Sequence, residues 1–276
     1  GVAARLSSKN NVKQISLALM TYMDSHNNIL PPVDGAIRWV DTPKPAWLID
    51  YTPFQAVAIT LEPERHLWGD YKWMRLYVSP ADPSIPLLLA DHVVESPEGE
   101  GSEPADENPV SYSCNAQVFA NRARYPESIP DGTTSTLWFT ERYASCSFAS
   151  VHFGGIDPGT RPTFADGGPL FGGKNSGYVY PVTPPRSAHS EPSRPGATFQ
   201  VRPKLYPRPP DVDDYLMFIA NPPADACDPK VPQTPHSSGM IVGLADGSVR
   251  TVGVGIAPNV FWSLVTPAGG EAVTDW

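Results

Sequence analysis

A histidine paired with a carboxylate can carry general acid–base chemistry, so such pairs are weighed first. Nine residues separate His236 from Asp246 near the C-terminus. The other five histidines (His26, His66, His92, His152 and His189) are scattered, and neither G-x-S-x-G nor H-E-x-x-H accompanies them. A hydrolase is therefore the disfavoured reading, and no catalytic residue is assigned. Asp211, Asp213 and Asp214 offer oxygen ligands at alternating spacing, as calcium loops do. Adjacent acids are more often solvated loop charges, so no cofactor is expected and calcium stays the alternative. Glu141 follows the apolar run Leu137-Trp138-Phe139-Thr140. Buried there, it needs a partner, and Arg142 or a backbone N–H could serve. It reads as structural, because no base or nucleophile accompanies it. Cys114, Cys146 and Cys227 show no C-x-x-C spacing. They allow at most one disulfide, of open pairing, and leave one thiol over.

The element that positions His236 and Asp246 is a hairpin over residues 235–252. Asp246-Gly247 between two apolar runs predicts a two-residue type I′ turn. Ala245 then faces Ser248, Leu244 faces Val249, Gly243 faces Arg250 and Val242 faces Thr251. Met240, Val242, Leu244, Val249 and Thr251 would share the buried face, and Gly243 would leave room for Arg250. Extended residues rise ~3.3 Å each, so Gly239 to Ala245 alone separates His236 from Asp246 by about 20 Å. The two then have separate jobs. Asp246 and Gly247 make the turn. His236 ties the start of the strand to a neighbouring loop, through Glu141 or a backbone carbonyl.

Residues 2–26 read as a helix with Val12, Ile15, Leu19, Tyr22 and His26 in an apolar stripe flanked by Ser16 and Met23. Arg5, Lys9 and Lys13 form a basic line on another face, read first as solvated and second as a surface for acidic lipid or a neighbouring subunit. Asn27-Asn28 and Pro31-Pro32 end the helix. Phe54 to Leu61 is a helix or strand. Scattered aromatics over 33–83 read as core rather than sugar platforms. A strand follows at 109–120, a turn at Asp131-Gly132, a strand at 137–143, and a short helix at Pro258 to Leu264. Residues 95–107 carry six acids and no base, which makes a solvated loop, and nine prolines crowd 181–210. The glycines of 153–177 fit no phosphate loop. Thirty-three prolines in 276 residues argue against a helical bundle or regular α/β fold. A net charge of −9 makes a nucleic-acid partner unlikely. No apolar run approaches a transmembrane span and no signal peptide is visible.

These motifs carry a resemblance. His236, nine residues, then Asp246-Gly247 is similar to the H-x9-DG signature of a bacterial family of prepilin-like proteins, which bear a domain of unknown function behind a pilin-type helix. Asn10-Asn11-Val12-Lys13-Gln14-Ile15 resembles that family's N-N-L-K-Q-I segment, and Pro31-Pro32 its proline pair. Patches at 109–120, Phe199 to Pro203, Cys227-Asp228-Pro229 and Thr266 to Glu271 resemble it too. Ser79 departs from a cysteine common in the family, so no disulfide can use that position. The resemblance implies an α+β, pilin- or pseudopilin-like fold: a long N-terminal helix packed on an antiparallel sheet with long Pro- and Gly-rich loops. Residues 1–276 would form one domain, with helix 1–28, β-rich 33–230, and hairpin plus C-terminal helix 231–276.

The resemblance also implies a hydrophobic prepilin-type helix ahead of residue 1. The expected function is that of a non-enzymatic, exported, membrane-anchored or cell-surface protein, periplasmic in some settings, acting in assembly or surface interaction as in type II secretion or type IV pili. Its partners would be other pilin-like subunits or secretion machinery, and the membrane through the preceding helix. A glycan- or peptide-binding surface module is the rival reading.

Overall fold

The structure, a computed structural model, describes residues 1–33, 51–63, 75–86, 109–119, 123–146, 149–150, 161–165, 218–225, 227, 232–270, 273 and 276. Asp211, Asp213 and Asp214, the acidic run 95–107, the proline-rich 181–210, and His66, His92, His152 and His189 lie outside them.

Helix α1 spans Val2–Ser25. Val12, Ile15, Ser16, Leu19, Tyr22 and Met23 are buried along one side, as their helical spacing requires. His26 leaves the expected stripe. It is the exposed C-cap, with its ring stacked on Tyr22 at 3.8 Å between centroids. Asn27 and Asn28 then take left-handed backbone (φ 54 and 58), and the Asn28 N–H returns to the Met23 carbonyl. Asparagine tolerates that conformation better than most residues, which is why the pair stops the helix. Helix α2 (Pro53–Leu61) starts from a capping box, in which the Thr52 hydroxyl accepts the Gln55 N–H and the Gln55 side chain accepts the Thr52 N–H. Helix α3 (Pro258–Val265) opens on proline, whose missing N–H would have had no partner in the first turn.

The strands are short: β1 (Tyr112–Asn115), β2 (Leu137–Glu141), β3 (Ser145–Cys146), β4 (Ala149–Ser150), β5 (Thr163–Phe164), β6 (Ile219–Ala220), β7 (Gln233–Thr234), β8 (Met240–Leu244) and β9 (Val249–Val252). The main sheet runs β5-β1-β2-β8-β9, while β3-β4 and β6-β7 form separate pairs. The sheet is mixed rather than antiparallel, because β5 pairs with β1 in parallel. Such a pairing needs a long crossover, which sequence alone does not announce.

Both faces of β8 are covered. Ile241 and Ala245 join α1, α2, Trp138 and Phe139 in one apolar cluster, while Met240, Val242 and Leu244 pack with Leu137, Phe164 and the α3 residues Phe261, Leu264 and Val265 in a second. Trp138 and Phe139, adjacent in β2, both belong to the first cluster. The register with β8 shifts between Leu137 and Phe139, and this irregularity frees Trp138 from strict alternation.

The hairpin register differs by one residue from the expectation. Gly243 pairs with Val249, Val242 with Arg250 and Ile241 with Thr251. The loop has three residues, Ala245-Asp246-Gly247. The Gly247 N–H bonds the Leu244 carbonyl, and only Gly247 is left-handed, at φ 78. This is a turn followed by a glycine bulge, which accepts Asp-Gly as readily as the two-residue turn does. Val252 rather than Val249 therefore faces the α3 side, and Val249 packs toward α1. Gly243 makes room for α1, not for Arg250. A Cβ at Gly243 would lie 2.9 Å from Val12 Cγ1 and 3.2 Å from Ser16 Oγ. Gly243→Val should therefore lower unfolding stability by about 1–3 kcal/mol through overpacking, measured as a shift in urea midpoint with an unchanged slope.

Candidate functional site

The two parts of the C-terminal signature sit at opposite ends of β8 and serve different neighbours. At the hairpin end, the Ala245 and Asp246 N–H groups bond the Thr136 and Thr133 carbonyls, each at 2.9 Å. The Asp246 carboxylate accepts the Ser248 N–H at 2.8 Å. Lys13 Nζ reaches from α1 to the Gly247 carbonyl at 2.7 Å, and Met20 covers Gly247 so closely that a Cβ there would sit 3.1 Å from its Cε. Arg5 reaches the other end of the hairpin, donating to Ser238 Oγ and, at 3.2 Å, to Thr251 Oγ1. The basic line on α1 was expected to be a solvated face. Arg5 and Lys13 instead tie the helix to the hairpin, because α1 lies across both strands.

At the start of β8, His236 and Glu141 meet inside the fold. Glu141 is fully buried and His236 is 7% exposed. Glu141 Oε2 accepts the Thr234 hydroxyl at 2.7 Å and the Ile241 N–H at 3.0 Å. β2 ends at Glu141, so its side chain takes a β8 donor where the strand ladder stops. Glu141 Oε1 lies 3.3 Å from His236 Nε2, within ion-pair range. Neither atom makes a hydrogen bond among the described residues, so the contact is one of proximity rather than of aligned hydrogen bonding. The threonine hydroxyl points at the carboxylate, not at the imidazole. The three side chains therefore lack the nucleophile–base hydrogen bond of a hydrolytic triad.

Arg142 does not partner Glu141. Its Nε donates to the Tyr143 carbonyl at 3.0 Å. Burial holds the guanidinium down at about 10, opposed by the charge of Asp82. Asp82 is the residue that sequence reasoning passed over. Its Oδ1 accepts the Ser84 N–H (2.9 Å) and hydroxyl (2.7 Å), and its Oδ2 accepts the Ser111 hydroxyl (2.6 Å) and the Ala144 N–H (2.9 Å). The Asp-Pro-Ser sequence was a usable signal, since an aspartate commonly accepts the N–H two residues on. Burial pushes the Asp82 carboxyl above its ordinary range, and hydrogen bonds from Ser111, Ser84 and the Ala144 N–H pull it back in part. Asn115 also went unnoticed. Its amide donates to the Leu137 and Val265 carbonyls at 2.9 and 2.7 Å, locking α3 to the sheet.

Cys146 and Cys227 form a disulfide across 81 residues, beside Tyr143 and Ala224, and Cys114 is a buried thiol on β1. Among the described residues, no group of three or more His, Cys, Asp or Glu could hold a metal ion, and no helix is long and apolar enough to cross a membrane.

Fold and site together define an α+β domain whose N-terminal helix is clasped to a mixed sheet, with buried carboxylates tying the ends of its strands. The chain belongs to the DUF1559 family (SBP_bac_10), described as proteins of unknown function, whose model matches residues 2–258. No curated protein and no solved structure matches it.

Glu141→Ala would strand the Thr234 hydroxyl, the Ile241 N–H and His236. It should cost about 2–4 kcal/mol of unfolding free energy, whereas Glu141→Gln, which keeps an acceptor, should cost less. Asp82 gives a pH signature. Its folded pKa is raised, so its contribution is most favourable below the unfolded value of about 3.9 and is lost as pH rises through the folded value. The stability of the wild type relative to Asp82→Asn should therefore fall from pH 4 upward and then level off, as followed by urea midpoints across that range.

Proposed function

We propose that this chain is the folded domain of a non-enzymatic, exported pilin- or pseudopilin-like protein, held at a membrane by an apolar helix preceding residue 1 and acting in assembly or surface interaction. The observation that carries this reading is the behaviour of α1. One side of its later turns is buried against the sheet, whereas Val2 (88% exposed) and Leu6 (59%) leave apolar side chains uncovered in its first turns. A helix that continued as an apolar segment would look this way where it leaves its domain. The Cys146–Cys227 disulfide supports an oxidising compartment. Site chemistry adds nothing in favour of an enzyme, since Glu141 and His236 are enclosed and bonded to structure. The tryptophans that the glycan-platform reading would use, Trp39, Trp47, Trp68 and Trp73, lie outside the described residues.

Mass spectrometry of the mature N-terminus, taken from the membrane fraction of the native cell, tests the reading. A processed terminus that opens directly on an apolar helix is expected. A mature protein that begins near residue 1, recovered in the soluble fraction, would overturn it.

A further inference from the structure

Three of the exposed large apolar residues, Val2, Leu6 and Val254, fall toward one end of the molecule. Val2, Arg5, Leu6 and Lys9 share a face of α1 at i, i+3, i+4 and i+7 spacing. Arg5 donates to Ser238 and Thr251, which fixes this end of the helix beside the start of β8 and the end of β9. Three residues past Thr251, Val254 tops a turn closed by the Ile256 N–H on the Gly253 carbonyl. Val254 is 60% exposed, and a Cβ on either flanking glycine, Gly253 or Gly255, would meet nothing within 4 Å.

The two segments that carry these residues are poor in acids, with the buried Glu141 lying beneath the start of β8. The protein carries −9 overall, yet residues 1–23 contain no Asp or Glu, and the sole acid of 232–270 is Asp246, at the opposite, turn end of the hairpin. Arg5 and Lys9 supply the local charge. Remote acids are screened beyond about 8–10 Å at physiological ionic strength. Apolar side chains that project between basic ones fit a surface with an anionic outer layer and an apolar interior.

We propose that this pole docks on an anionic lipid bilayer surface, with Val2, Leu6 and the Val254 turn entering the interface and Lys9 meeting headgroups. The contact belongs to the folded chain and does not need the anchoring helix proposed above, so either idea can fail alone. The Val254 turn is the decisive element, since nothing on α1 requires it.

Flotation of the 276-residue chain with phosphatidylcholine–phosphatidylglycerol vesicles, against phosphatidylcholine alone, tests the proposal. Binding should need the anionic lipid and disappear at high salt. Lys9→Glu should lower partitioning about fivefold or more. Val254→Asp and Leu6→Ser should each weaken it severalfold with unchanged melting curves. Leu17→Ser, on an exposed residue three turns away from Leu6, should leave it intact. No flotation, wild-type binding by Val254→Asp, or an equal loss in Leu17→Ser would overturn the proposal. So would sedimentation showing that the pole instead joins two copies of the chain.

Discussion

The close approach of α1 to β8 at Gly243 is the constraint on which the rest of the structure depends. Val12 and Ser16 occupy the space that any side chain at position 243 would need. With the helix this near the sheet, Ile15 and Leu19 reach full burial, and Lys13 and Arg5 can span to the two ends of the hairpin. The contacts of Val12 and Ser16 at Gly243, of Lys13 at Gly247 and of Arg5 at Thr251 each join residues more than two hundred positions apart. The helix cannot rely on local contacts for its place, and the hairpin cannot bury its inner face without the helix. The N-terminal and C-terminal motifs are thus two halves of one packing unit.

Buried polar side chains perform a second, distributed task. Strands of two to five residues end early and leave backbone donors inside the fold. Each such donor needs an acceptor. Glu141 supplies one to Ile241, and Asp82 to Ser84 and Ala144. A proline-rich chain that keeps breaking its own ladders is completed by carboxylates. This accounts for the buried positions of Glu141 and Asp82. It also explains why His236 sits where it does: the oxygen of Glu141 left over from this task faces the imidazole.

The same logic separates the ends of the signature. Asp246 and Gly247 satisfy local turn geometry and present their backbone to residues 133–136 and to Lys13. His236 completes a buried polar group at the far end of the strand. The nine-residue spacing between them is the length of β8 and its approach, not the reach of a proton.

Local chemistry was legible in the sequence. The spacing of Val12, Ile15 and Leu19 located α1, the asparagine pair its end, Pro258 the start of α3, and Asp246-Gly247 a reversal. Each rests on interactions within a few residues, which the sequence states directly. The hairpin register was not legible, because a two-residue turn and a three-residue turn with a bulge both accept Asp-Gly. Thr133 and Thr136 decided between them by taking the Ala245 and Asp246 N–H groups. The parallel β5, the irregularity at Trp138, the pairing of Cys146 with Cys227 and the partners of Glu141 and Asp82 likewise depend on which distant segments meet. The periodicity of a segment records which of its faces is apolar. It carries no record of what covers that face, and so only the tertiary structure could show that Gly243 is small for the sake of a helix more than two hundred residues away.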